Sequence, residues 1–188
     1  MTIMKLEQIS STLAELFGSA VKAPTPDSWQ VETASMRLLV LLSEDRSWLR
    51  VLVPIVPAQQ AQPFFQQLLE ANFDDSQETR YALNQGVLWG VFQHSLESLT
   101  TPDFSAALER MVVLHQRGLS DCFDQLAEER IGQIIQVSKL QGQSLEATLQ
   151  TLDRFYEEGL MGEMDQGAAS REAVLAAWRR QLERLWHE

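Results

Sequence analysis

Cysteine is almost missing from this chain. Cys122 is the only one among 188 residues, so neither an intramolecular disulfide nor a cysteine-based metal cluster can form. Histidine is scarce as well: His94, His115 and His187 are scattered, with no H-x-x-x-H or H-E-x-x-H spacing to hold a metal. His115 falls on the apolar side of a predicted helix and is expected as a satisfied imidazole rather than a ligand. Cys122 lies on an apolar stripe too, with no cationic neighbour in the sequence to favour a reactive thiolate. The adjacent pairs Asp74-Asp75, Glu128-Glu129 and Glu157-Glu158 diverge on a helix and do not share one proton or one metal. No G-x-S-x-G, Walker loop or G-x-G-x-x-G is present. These absences point to a protein that is not an enzyme, with no cofactor and no metal.

Basic residues and long apolar runs are also in short supply. Fifteen Lys and Arg stand against 26 Asp and Glu, a net charge of −11, and a field of that sign repels a phosphate backbone. Both halves are acidic, with 6 basic and 11 acidic residues up to position 100 and 9 and 15 after it. Of the five Trp, Trp48 and Trp89 fall on predicted strands while Trp178 and Trp186 fall on a helix stripe, which suits a core better than base stacking. No stretch approaches the ~18 apolar residues that span a bilayer. The opening segment carries Glu7 and Glu15 inside what would be the apolar region of a signal peptide. The expectation is a cytoplasmic protein with no nucleic-acid and no membrane partner. At 45% apolar and 22% charged, the chain has an ordinary globular composition rather than a disordered one.

What is present is concentrated between Met36 and Gln93. MRLLVLLS (36–43) and WLRVLVPIV (48–56) are β-rich and separated by four polar residues, a hairpin signal. FFQQLLEANF (64–73) changes period, with Phe65, Leu68, Leu69 and Asn72 at helical spacing. TRYALN (79–84) and VLWGVFQ (87–93) form a second hairpin across Gln85-Gly86. Pro54 and Pro57 are expected to end the second long strand.

Before this core, Leu6, Ile9, Leu13, Leu16 and Phe17 mark a first helix over roughly 4–20. The prolines at 24 and 26 then predict an extended linker, followed by a short edge strand over 29–33. After the core, Thr101-Pro102-Asp103 reads as the start of a helix to about 118 with Thr101 as N-cap. Phe104, Leu108, Met111, Val112 and His115 are its apolar face. Further helices are expected over about 120–140 and 145–156, then a loop at 159–170 and a last helix capped by Ser170.

Period two divides the first hairpin into two faces. Met36, Leu38, Val40, Leu42, Leu49, Val51, Val53 and Ile55 make a core face. The other face holds Leu39, Leu41, Trp48 and Leu52 among polar residues, more large apolar groups than solvent tolerates. Leaving a Trp and three Leu bare forgoes several kcal/mol at roughly 25 cal/mol per Å², so something should cover them: the C-terminal helices or a client polypeptide. Adjacent Phe64 and Phe65 project about 100° apart on a helix, and one of them should meet another surface.

The order helix, three strands, helix, two strands, helix, with LLEANF (68–73) before YALNQGVLWGVFQ (81–93), resembles the secretion chaperone-like fold. That family comprises small acidic chaperones of type III secretion systems and the related YbjN-type bacterial proteins. The resemblance implies an α+β domain, α-β-β-β-α-β-β-α, over residues 1–118; residues 119–188 depart from the family pattern and are read as a C-terminal helical extension. It further implies a homodimer that binds an extended client segment without catalysis. Leu39, Leu41, Trp48 and Leu52 are then the client-binding candidates, and Phe64, Phe65 and Leu68 the dimer-interface candidates. The alternative is a small regulatory or assembly subunit docked on a larger complex through its C-terminal helices.

Overall fold

The computed structural model describes residues 4–157, 176 and 179–187, which fall in two compact units, Met1–Cys122 and Phe123–Glu188. The first unit opens with α1 (Leu6–Phe17), followed by β1 (Val21–Thr25), β2 (Ser28–Glu32), β3 (Arg37–Leu42) and β4 (Trp48–Pro57). Two helical pieces, α2 (Ala58–Ala61) and α3 (Phe65–Asp74), lead to the hairpin β5 (Thr79–Asn84) and β6 (Val87–Ser95), then to α4 (Thr101–Arg117). All six strands form one antiparallel sheet in the order β1-β2-β3-β4-β6-β5. The architecture is α+β, an antiparallel sheet with flanking helices and a helical C-terminal part.

Four strands, not three, precede the central helices. The stretch expected as a linker holds β1, because Pro24 and Pro26 bar a helix but not an extended chain. The ladder between β1 and β2 is irregular between Lys22 and Thr25, around Pro24. β1 lies at the sheet edge, where a missing N–H breaks no inner ladder. β2, expected at the edge, is therefore an inner strand. Pro57 does end β4, whereas Pro54 lies within it. Pairing of β4 with β3 stops at Leu52, so Pro54 has no β3 partner, and the ladder to β6 shifts between Pro54 and Val56. His115 of α4 closes the parting seam: its Nδ1 is 2.9 Å from the Pro54 carbonyl and its Nε2 3.0 Å from that of Ser35. The half-buried imidazole is a stitch between α4 and the sheet.

The core sits on one face of the sheet. Ile9 and Leu13 of α1, Leu38, Val40, Leu49, Val51 and Val53 of the strands, and Phe104, Leu108 and Met111 of α4 are all 0% exposed. They belong to one packed cluster, so α1 and α4 cover the same face, the one that period two marks out. Each such side chain contributes roughly 1.5–3 kcal/mol relative to exposure, which makes this layer the main stabiliser. The N-cap of α4 is Thr100 rather than Thr101. Its Oγ1 accepts from the Asp103 N–H at 3.3 Å, and its hydroxyl donates to the Asp103 carboxylate at 2.5 Å.

The free edge at β5 is guarded by Asn72. Its Oδ1 accepts from the Tyr81 N–H at 2.7 Å while its Nδ2 donates to the Tyr81 carbonyl at 3.1 Å. One side-chain amide thus replaces a missing strand partner, which blunts the edge. Asn72→Ala should lower stability by about 1–3 kcal/mol, the cost of orphaning half-buried backbone groups. Urea unfolding checks this, and an unchanged midpoint would mean that water replaces the amide at no cost.

The β3–β4 turn is organised by Asp45. Its Oδ1 accepts from the Ser43 hydroxyl at 2.6 Å, the Ser47 hydroxyl at 2.8 Å and the Ser47 N–H at 3.0 Å. These bonds, that from Ser43 first, hold its carboxyl down at about 2. A depressed carboxyl stabilises the fold above its unfolded value of about 3.9, and that contribution is lost as pH falls towards 2. A carbon-detected titration of Asp45 should show a midpoint near 2; one near 4, the ordinary Asp value, would mean the turn is open in solution.

α5 (Ser120–Leu140) carries the boundary between the units, and α6 (Leu145–Glu157) follows in the second. Residues 179–186 are also helical. Ile131, Ile135 and Leu182 form a buried cluster with Leu149, Leu185 and Trp186 packed on it. Arg179 reaches Asp153 by two bonds of 2.8 and 2.5 Å, and Arg184 meets Glu128 at 2.7 Å. The expected loop at 159–170 and its cap Ser170 lie outside the described residues.

Candidate protein-binding surface

The second face of the sheet carries no helix of the core layer. Strand alternation sends Leu39 and Leu41 of β3, and Trp48 and Leu52 of β4, to this side, opposite the buried Leu38, Val40, Leu49 and Val51. All four are half-buried. The register joins them into one patch: Leu39 is opposite Leu52, which is opposite Val91 of β6, and Leu41 is opposite Arg50. An apolar row, Leu39–Leu52–Val91, therefore crosses the middle strands, with Leu39 and Leu52 half-buried and Val91 buried at 7% exposed. Trp89, two residues from Val91 and opposite Pro54, extends it, with its indole N–H bonded to the Asn84 carbonyl at 3.2 Å.

A polar row runs beside the apolar one. Arg50 is opposite Gln93, and its guanidinium carbon lies 4.7 Å from the Trp48 ring centroid, a cation–π contact. Arg80 of β5 donates to Gln93 Oε1 at 3.2 Å, and Arg50 reaches the same oxygen at 3.5 Å. Among the described residues neither arginine has a carboxylate partner. Arg50 falls on this face by the period-two reading of β4, while Val91, Trp89, Arg80 and Gln93 are also on it and were not singled out from the sequence. The same period-two reading, applied to β6, finds Trp89, Val91 and Gln93 in line.

The dimer-interface candidates sit differently. Phe64 and Leu68 are 5% and 3% exposed, covered by the chain's own residues, and Phe65 is half-buried. The inner face of this segment is Phe64, Gln67 and Leu68. The exposed apolar side chains of α3 are Leu69 and Phe73, at 69% and 88%; Leu69 shares the helical spacing of Phe65, Leu68 and Asn72 but not the burial of Leu68.

Two groups with reactive chemistry are held in their neutral forms. Burial, with Asp121 adding to it, pushes the Cys122 thiol up, which disfavours the thiolate a nucleophile needs. Burial likewise raises the Tyr81 phenol to about 12. Among the described residues no three His, Cys, Asp or Glu side chains converge to hold a metal ion, and no helix is long and apolar enough to cross a membrane.

The first unit is thus an open antiparallel sheet with α1 and α4 packed on one face and mixed apolar and cationic strand residues on the other. Solved structures similar to it include chains of type III secretion complexes. One is from the ExoU–SpcU complex of Pseudomonas aeruginosa, at 18% identity over 60% of this chain and 95% of that one, with a TM-score of 0.47. Another is from the Yersinia pestis secretion chaperone SycH in complex with a protein fragment, at 13% identity over 60% and 97%, with a TM-score of 0.46. A third is from the ExsC–ExsE complex, at 16% identity over 60% and 95%, with a TM-score of 0.45. No family model matches the sequence, and no curated protein does.

Proposed function

We propose that this protein is a non-enzymatic, chaperone-like binding module that holds an extended segment of a client polypeptide on the second face of its sheet. The observation that carries this reading is the half-buried apolar patch of Leu39, Leu41, Leu52 and the Trp48 ring, aligned by the strand register on the side away from α1 and α4. Apolar groups supply the area, and Trp48 is an anchor that loses little side-chain entropy on binding. The protein acts as a homodimer, and the apolar surplus of α3 at Phe65, Leu69 and Phe73 supplies the contact. Sedimentation giving only the monomer mass at micromolar concentration would exclude the dimer.

A second reading, an assembly subunit docked through its C-terminal helices, is favoured by Val137 and Leu140 of α5, which are 53% and 88% exposed. One experiment separates the two. A photo-crosslinking residue is placed at position 52 or at position 140 in the native cell, and the captured proteins are identified. Client adducts from position 52, lost in a Trp48→Ala background that still folds, support the chaperone-like reading. A single stoichiometric partner from position 140, with nothing from 52, supports the other.

A further inference from the structure

On the second sheet face two guanidinium groups converge from β4 and β5 on one neutral oxygen of Gln93 on β6, at 3.5 and 3.2 Å. A single amide oxygen does not offset two like charges. Each guanidinium has five N–H donors, and among the described residues each gives a side-chain bond to Gln93 alone. Arg50 does not swing freely into solvent either, because it is stacked on Trp48. In a chain with 26 acidic residues, a pair of arginines without a carboxylate is a local exception to the net charge.

We infer that Arg50 and Arg80 are a receptor for one carboxylate of the bound segment, and so fix both its chemistry and its register. The inference rests on the reading that this face binds an extended polypeptide. The occupant is a strand-like peptide in which an Asp or Glu alternates with apolar residues. Same-face side chains of an extended peptide recur every second residue, about 7 Å apart. The Arg50–Gln93 row and the Leu52–Val91 row are themselves two residues apart along β4 and β6. A carboxylate over the first row therefore sets an apolar side chain, two positions away, over the second. Paired arginines can each bind a carboxylate in bidentate fashion. The net charge of −11 works against a generally acidic partner, so selection is for an isolated carboxylate among apolar residues.

The test uses the full-length isotope-labelled protein and three blocked peptides, Ser-Val-Thr-Glu-Thr-Val-Ser and its central Gln and Lys versions. The Glu peptide should shift the Nε–H signals of Arg50 and Arg80 and the Trp48 indole. The Gln version should bind about tenfold more weakly, the loss of one charge-assisted contact, and the Lys version more weakly still. Arg50→Gln with Arg80→Gln should abolish the difference between the Glu and Gln peptides. Equal affinity for these two peptides, with shifts still at Leu39, Leu52 and Val91, overturns the carboxylate receptor and leaves the binding face standing. Shifts confined to α3 or to α6, or no shift at all, overturn both.

Discussion

Replacing Gly90 by valine should lift α4 from the sheet and lower stability by about 3 kcal/mol or more, the upper range for overpacking a close-packed core. A Cβ at position 90 would lie 2.5 Å from Leu114 Cδ2 and 2.9 Å from Val53 Cγ1, with Met111 Cε at 3.6 Å. The Leu114 methyl ends a flexible side chain and can rotate aside. Val53 cannot: it is β-branched and 0% exposed at the centre of the sheet, with χ1 restricted. Alanine should therefore cost about 1–3 kcal/mol, and the two further methyls of valine more. Urea unfolding followed through the amides of β4 and β6 reads both variants. A valine variant that unfolds at the native midpoint would mean that α4 does not rest on β6 at this point.

The fold was legible where side-chain period alone decides it. Leu38, Val40, Leu49, Val51 and Val53 alternate without interruption, and the structure buries all of them. It was less legible around proline, read as an extended linker at 24 and 26 and as a strand end at 54. Pro24 and Pro54 both lie in strands, one on the sheet edge and one where β4 has lost its β3 neighbour, and sequence does not reveal which side of a strand lacks a partner. In the central helix two stripes compete: Phe64, Gln67 and Leu68 are three and four apart, as are Phe65, Leu68, Leu69 and Asn72, so helical spacing alone does not decide between them. The structure buries the first stripe and leaves Leu69 69% exposed. On the candidate surface, the four residues named from the first hairpin do share one face. The arginine pair was not legible, because it joins residues 13 and 43 positions from Gln93 through a strand order that only the folded sheet supplies.

Phe104→Ala should cost about 3–5 kcal/mol, the range for emptying a buried aromatic site. Phe104 is 0% exposed in the first helical turn of α4, in the same packed cluster as Ile9 and Leu13 of α1 and Leu49 and Val51 of the sheet. Its position is over-determined, which limits collapse around the cavity. The Thr100–Asp103 cap fixes the helix start, and the backbone bond from Met4 N–H to the Leu99 carbonyl at 3.0 Å ties the preceding residue to the segment before α1. A site that cannot close keeps the full cavity cost, so the loss should fall in the upper part of that range. Phe104→Leu, which retains most of the volume, should cost less than half as much. The proposed capture surface is on the other face of the sheet, so on that reading a folded Phe104→Leu protein should retain photo-crosslinking from position 52. A Phe104→Ala variant that melts within 1 °C of the native protein would place this ring outside the core, and with it the assignment of α1 and α4 to one face.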